Sequence, residues 1–173
     1  LEDDLITSAD CLEYFNSCLD FYDKDNTIWS ISGYSFPMQA LNHYKNDVYL
    51  SPRGCSWGWA TWKDRWEKVD WEVSDYKSFQ WNFYKRRQFS MGGFDMPAML
   101  DRQINGFNDS WAIRWCYSQW KLSMYTVYPK ISRIANIGLD GSGTNSKATD
   151  NFDTELSCDN SLTLCNLTID KKI

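Results

Sequence analysis

The alternation of apolar and polar positions divides the chain into short, well-marked segments. From Ala9 to Tyr22, Leu12, Phe15, Leu19 and Tyr22 share one helical stripe with Cys11 and Cys18 beside it, and Ser8 stands where an N-cap belongs. The spacing predicts an amphipathic helix covering a sheet. Asp23 to Asn26 reads as a turn, and Ile28-Trp29-Ser30-Ile31-Ser32 as a buried strand ending at Gly33. Tyr34 to Asp47 has little periodicity and reads as a loop before a short strand at Val48-Tyr49-Leu50. A short helix begins over Trp62 to Trp66, and Ser74 is placed to cap a longer one through Phe79, Phe83 and Tyr84. Pro97 and Gly106 bracket a helix from Met96 to Ile104. Asp109 reads as the N-cap of another, whose Ala112, Trp115, Cys116, Gln119 and Trp120 recur at helical spacing. Met124 to Tyr128 predicts a strand stopped by Pro129, and Ile131 to Ile137 continues extended. The order predicts an α/β fold, a mixed sheet with flanking helices, over residues 1–145. Residues 146–173, polar with isolated leucines, read as a weakly specified tail that adds a strand or stays loose.

The start of the chain breaks this rhythm. Leu1-Glu2-Asp3-Asp4-Leu5 sets three adjacent carboxylates between apolar residues, which reads as a buried strand passing into a helix cap. In open α/β sheets ligands gather at the carboxyl ends of strands. Acids packed there repel one another, and a hard divalent cation, Mn²⁺ or Mg²⁺, would offset that repulsion while keeping positions open for phosphate oxygens. The alternative is a solvated acidic turn near the positive end of a helix dipole. Because the chain opens on what looks like a sheet interior, the expectation is a piece of a longer domain whose earlier strands are missing.

Composition narrows the classes. Aromatic residues make up 17% of the chain, including 10 Trp and 10 Tyr, more than core volume requires, and such faces also stack on sugars or bases. Net charge is -5, which excludes nucleic acid as a partner, since phosphate backbones need a basic stripe. No apolar run approaches a membrane span. The six cysteines form no CxxC pair, and His43 is the single imidazole, so a zinc site is not expected. Free thiols point to a reducing, cytoplasmic compartment. Lys85-Arg86-Arg87 reads as a solvated helix end, with lipid contact as the alternative.

Two stretches have the makings of a ligand wall. In Gly54-Cys55-Ser56-Trp57-Gly58-Trp59-Ala60-Thr61-Trp62, glycines allow close backbone approach beside flat tryptophan faces, suiting either a ring-binding pocket or a tight core turn. Gly138-Leu139-Asp140-Gly141-Ser142-Gly143-Thr144 is glycine-rich but lacks the P-loop ending, and reads as a closing loop or a linker.

Three stretches in order, Leu1-Glu2-Asp3-Asp4, Asn108-Asp109-Ser110-Trp111-Ala112-Ile113-Arg114, and Tyr128-Pro129-Lys130-Ile131-Ser132-Arg133 leading to Ile137-Gly138, resemble the GT-A glycosyltransferases. They resemble the inverting N-acetylglucosaminyltransferases of N-glycan branching. The Trp-Gly-Trp-Ala-Thr-Trp segment and Gly-Ser-Gly-Thr loop are closer to bacterial sugar transferases of lipopolysaccharide and capsule synthesis. The resemblance implies the C-terminal part of a GT-A domain, with the nucleotide-binding strands missing and the fragment inactive alone. It implies that Asp4 holds Mn²⁺ on a nucleotide diphosphate, Asp3 faces the ribose and Glu2 the donor sugar. Asp109 would be the catalytic base, Trp57, Trp59, Trp111 and Arg133 would contact substrate, and Gly141, Ser142 and Gly143 would close on the diphosphate. Asn108 and Asn145 depart from the family pattern, where Trp and His are common. The implied partners are a nucleotide-diphosphate sugar, UDP-linked, and a saccharide or lipid-linked saccharide acceptor. Peripheral contact with the inner face of the cytoplasmic membrane and a homodimer through an exposed sheet edge are further expectations. The competing reading is a non-catalytic carbohydrate-binding module, which would hold sugar without metal.

Overall fold

The computed structural model describes residues 1–138, 152–158 and 161–169. Its centre is a mixed sheet of β2 (Ile28–Ser32), β3 (Val48–Ser51), β4 (Trp59–Ala60) and β5 (Tyr125–Pro129), in the order β3-β5-β2-β4. β2 runs parallel to β5, and the other two pairings are antiparallel. All five residues of β2 are buried, as expected for a strand covered on both faces. Its serines are satisfied within the sheet: Ser30 Oγ lies 2.8 Å from Thr126 Oγ1, and Ser32 Oγ donates to the Tyr34 carbonyl at 2.9 Å.

Helix α1 (Cys11–Tyr22) packs on this sheet through Tyr14, Phe15, Cys18 and Tyr22, which join Ile28, Ile31, Val48, Val127 and Ile134 in one core. The buried stripe is rotated from the expected one, and Leu12 is 69% exposed. Tyr14 turns inward because its hydroxyl reaches the Ser32 carbonyl at 3.0 Å, and the small thiols of Cys11 and Cys18 fill the space alongside. Nor does Ser8 cap the helix. Asp10 is the N-cap residue, and Ser8 Oγ donates to its carboxylate at 2.6 Å.

A second layer is helical. Besides the short α2 (Lys63–Trp66), it contains α3 (Tyr76–Phe79), α4 (Phe83–Phe89), α5 (Met96–Ile104) and α6 (Trp111–Lys121). Phe79, Phe89, Met96, Leu100, Ile113 and Tyr117 form its core. The single helix expected from Ser74 is two, because Asn82 starts α4 afresh: its side chain accepts the Lys85 N–H at 3.0 Å. Arg86 then grips Asp101 with two hydrogen bonds, of 2.9 and 2.7 Å, locking α4 to α5. Between the layers sits a tryptophan cluster of Trp29, Trp59, Trp66, Trp71 and Trp115.

The first strand is not part of the main sheet. β1 (Leu5–Thr7) pairs with β6 (Ile134–Asn136) in a separate antiparallel ribbon, and Leu1 is 69% exposed. The acids therefore occupy a turn before a half-exposed ribbon, not the end of a buried strand; three neighbouring charges resist burial. The described parts of the tail are docked: Leu162, Leu164 and Leu167 pack on the α1 core, the Tyr22 hydroxyl donates to the Cys165 carbonyl at 2.7 Å, and Leu156 bridges Ser132. All six cysteines are free. Among the described residues no helix is long and apolar enough to cross a membrane.

Candidate functional site

A cleft of about 560 Å³ opens between the β1–β6 ribbon, the loop before β4 and the N-terminal end of α6. Glu2, Asp3, Asp4, Trp57, Asp109 and Trp111 all line it. Six residues singled out from the sequence, drawn from both ends of the domain, thus meet in one place.

The ribbon positions the acids. The Ile137 N–H donates to the Asp4 carbonyl at 2.9 Å, extending the β1–β6 ladder to the turn itself. Asn136 then accepts the Gly138 N–H through its side chain at 2.7 Å, a local turn that swings Gly138 against Asp4. A methyl group at Gly138 would overlap the Asp4 carboxylate and force it to shift. Asp4 Oδ1 is buried without a hydrogen-bond partner. Burial, and then the charges of Asp4 and Asp3, push the Glu2 carboxyl above its ordinary value. An unpaired carboxylate oxygen among mutually repelling acids fits a cation that arrives with most of its oxygen ligands on another molecule. Among the described residues no three His, Cys, Asp or Glu side chains form a ready-made metal cage.

The opposite wall is set by glycines and helix packing. Gly58, at φ +57°, and Gly33 both abut the Ile134 side chain, where any Cβ would collide. The Gly33 N–H donates to the Gly58 carbonyl at 2.9 Å. Beside this close seam Trp57 lines the cleft, and its ring meets Tyr34 and Phe152 edge-on at 4.8 and 5.7 Å. Asp109 is exposed on the cleft, one residue before the actual N-cap, Ser110. Ser110 is fixed by its N–H, which donates to the buried Gln103 side chain of α5. Helix α6 therefore presents its positive end to a cleft walled by acids.

Two expected substrate contacts lie elsewhere. Trp59 packs against Trp115, Trp111 and Trp66 at 4.9, 5.4 and 6.3 Å and serves the tryptophan cluster. Arg133 is 4% exposed, with Nε 2.8 Å from Asp10 Oδ2 as a charge contact without hydrogen-bond alignment, and Nη1 donating to the Ile131 carbonyl at 2.9 Å. It does not line the cleft. Gly141, Ser142 and Gly143 lie outside the described residues.

Sequence reasoning missed Ser56, Ser110, Ala112 and Asn136 as cleft residues. Asn136 carried a signal, since Asn two residues before Gly favours such a turn; the others carried none. A smaller apolar pocket of about 220 Å³ adjoins the cleft through Ser56, Trp57, Ser110 and Ala112 and includes Cys55 and Cys116. Burial raises both thiols, Cys55 to about 12, so neither supplies a thiolate nucleophile.

No model of a known protein family matches the sequence, and no curated protein is recognisably similar to it.

Proposed function

We propose that this chain carries the metal, acceptor and base elements of an inverting glycosyltransferase with a GT-A fold, transferring sugar from a UDP-linked donor to a saccharide acceptor in bacterial surface-polysaccharide synthesis. The observation that carries this reading is the meeting of Glu2-Asp3-Asp4 with Asp109 in one cleft walled by Trp57 and Trp111. Inverting transfer needs an acceptor hydroxyl deprotonated as it attacks the anomeric carbon and a nucleoside diphosphate leaves. Asp109, exposed and held at the start of α6, takes that proton. Trp57 and Trp111 offer faces for sugar rings. The positive end of α6 favours the phosphates. Asp4, flanked by Asp3 and Glu2, would hold Mn²⁺ or Mg²⁺, which would offset charge building on the leaving phosphate.

The test is calorimetric titration of UDP and UDP-sugars with and without Mn²⁺. Binding that requires the metal, vanishes in Asp4→Asn and survives in Asp109→Asn supports the reading. Saccharide binding indifferent to metal and nucleotide would replace it with a carbohydrate-binding module. Where turnover is measurable, an active Asp109→Asn variant would remove the base assignment.

A further inference from the structure

The cleft is one end of a row of cavities. It shares Ser56, Trp57, Ser110 and Ala112 with the adjoining apolar pocket of about 220 Å³. That pocket shares Phe36 and Arg53 with a third cavity of about 230 Å³, which in turn shares Pro52 and Met91 with a fourth of about 550 Å³. One stretch of chain, Ser51 to Trp57, touches all four in sequence order, and every residue of it is half-buried. Helix α6 follows the row in the opposite direction. Trp111 and Ala112 line the cleft, Ile113 and Cys116 the apolar pocket, and Trp120 and Lys121 the far cavity. From Trp111 to Lys121 the helix advances about 15 Å, longer than any one sugar ring.

The two elements are fastened together. The fully buried Gln119 of α6 donates to the Ser51 carbonyl at 3.2 Å, and the Cys116 thiol to the Gly54 carbonyl at 3.6 Å. The Arg53 N–H donates to Ser51 Oγ at 3.2 Å, and Pro52 has no N–H to offer. With these backbone groups engaged, the segment presents a poor edge to a peptide strand, which binds through main-chain hydrogen bonds. Ring faces and polar side chains are what remain. Phe36 and Trp57 line the apolar pocket, and Trp120 and Tyr125 the far cavity together with Asp75, Lys85 and Gln88. Two of the cations along the row are already paired, Arg53 with Asp95 at 2.8 Å and Lys121 with Asp75 at 3.0 Å. Flat apolar faces interspersed with hydrogen-bonding groups suit a chain of polyhydroxylated rings.

We propose that the acceptor is an elongated glycan lying along this row, with its reacting end in the cleft beside Asp109 and its remote sugars in the far cavity against Trp120 and Tyr125. The proposal rests on the transferase reading for the acceptor role and adds to it the length of the acceptor and a remote subsite.

A glycan array carrying mono-, di- and longer oligosaccharides of bacterial surface polysaccharides, followed by calorimetry of the glycans that bind, tests it. Affinity is expected to rise with chain length. Trp120→Leu weakens binding of the longest glycans about tenfold and leaves the shortest unchanged. Because the Trp120 ring also meets Phe79 and Phe89, a circular dichroism melt accompanies that variant. Gln88→Ala, at an exposed position, lowers affinity for the same long glycans about two- to tenfold with an unchanged melt. No binding on the array, monosaccharides bound as tightly as longer chains, or Gln88→Ala affecting all lengths equally would overturn the proposal. UDP titrated with Mn²⁺ into the same preparations separates it from the reading beneath it. Metal-dependent UDP binding without length dependence overturns the elongated acceptor and leaves the transferase; length-dependent glycan binding without UDP binding overturns the transferase and leaves a glycan groove.

Discussion

Replacing Arg133 with Met separates a structural arginine from a substrate-binding one. The Arg133 and Asp10 side chains are 5% and 6% exposed and in contact at 2.8 Å, and the Arg133 guanidinium lies 5.6 Å from the Tyr14 ring centre. Arg133→Met keeps the stem volume but leaves the Asp10 carboxylate buried, with the Ser8 hydroxyl as its remaining side-chain donor. Removing one partner of a buried pair costs about 3–5 kcal/mol. For a chain of this length that corresponds to a fall in melting temperature of roughly 6–20 °C. Asp10→Asn should cost a similar amount, and the double variant much less than the sum, with a coupling of about 2–3 kcal/mol. Urea unfolding of the four proteins gives the cycle. Binding of UDP with Mn²⁺ at a temperature where all four are folded should be unchanged. A loss of stability below about 1 kcal/mol, together with loss of nucleotide binding, would refute the reasoning and return Arg133 to the substrate site.

Other outcomes follow from the same geometry. On the proposed function, Gly138→Ala should weaken Mn²⁺-dependent nucleotide binding as Asp4→Asn should, because its methyl displaces the Asp4 carboxylate; calorimetry compares them. Asn82→Ala should lower stability by about 1 kcal/mol in urea unfolding, through loss of the α4 cap. Hydrogen bonds from Arg53 and Arg86 hold the Asp95 and Asp101 carboxyls below their ordinary value of 3.8, so their contribution is present above that pH and is lost as pH falls through the lower folded values. Glu2 has the opposite sign: its raised value contributes stability below 4.5 that is lost as pH rises through the folded value. Melting temperature should therefore hold steady or rise slightly on acidification toward pH 4.5 and fall below 3.8, and Arg86→Gln should flatten that fall.

The readable parts of the fold were those set by local pattern. β2 is a continuous apolar-and-serine run and α5 is bracketed by Pro97 and Gly106, and both formed within a residue of expectation. What misled were positions decided by a distant partner. Leu12 lost its place in the α1 stripe because Tyr14 found the Ser32 carbonyl. Arg133 lies against Asp10, a pairing that nothing near it in sequence announces. The Trp-Gly-Trp turn divides its two tryptophans: Trp57 lines the cleft and Trp59 packs in the tryptophan cluster. The acids and Asp109 were legible as residue types, but their meeting depends on β1 pairing with β6, a long-range register that no local signal encodes.

That register has a mechanical meaning. Ile134, which pairs with Thr7 at the far end of the ribbon, also plugs the notch left by Gly33 and Gly58. The acid turn and the tryptophan turn are consequently coupled through this side chain, and the spacing between the two walls depends on its size. A trimmed side chain at this hinge pin would let the walls drift independently while every residue facing the cleft stayed intact.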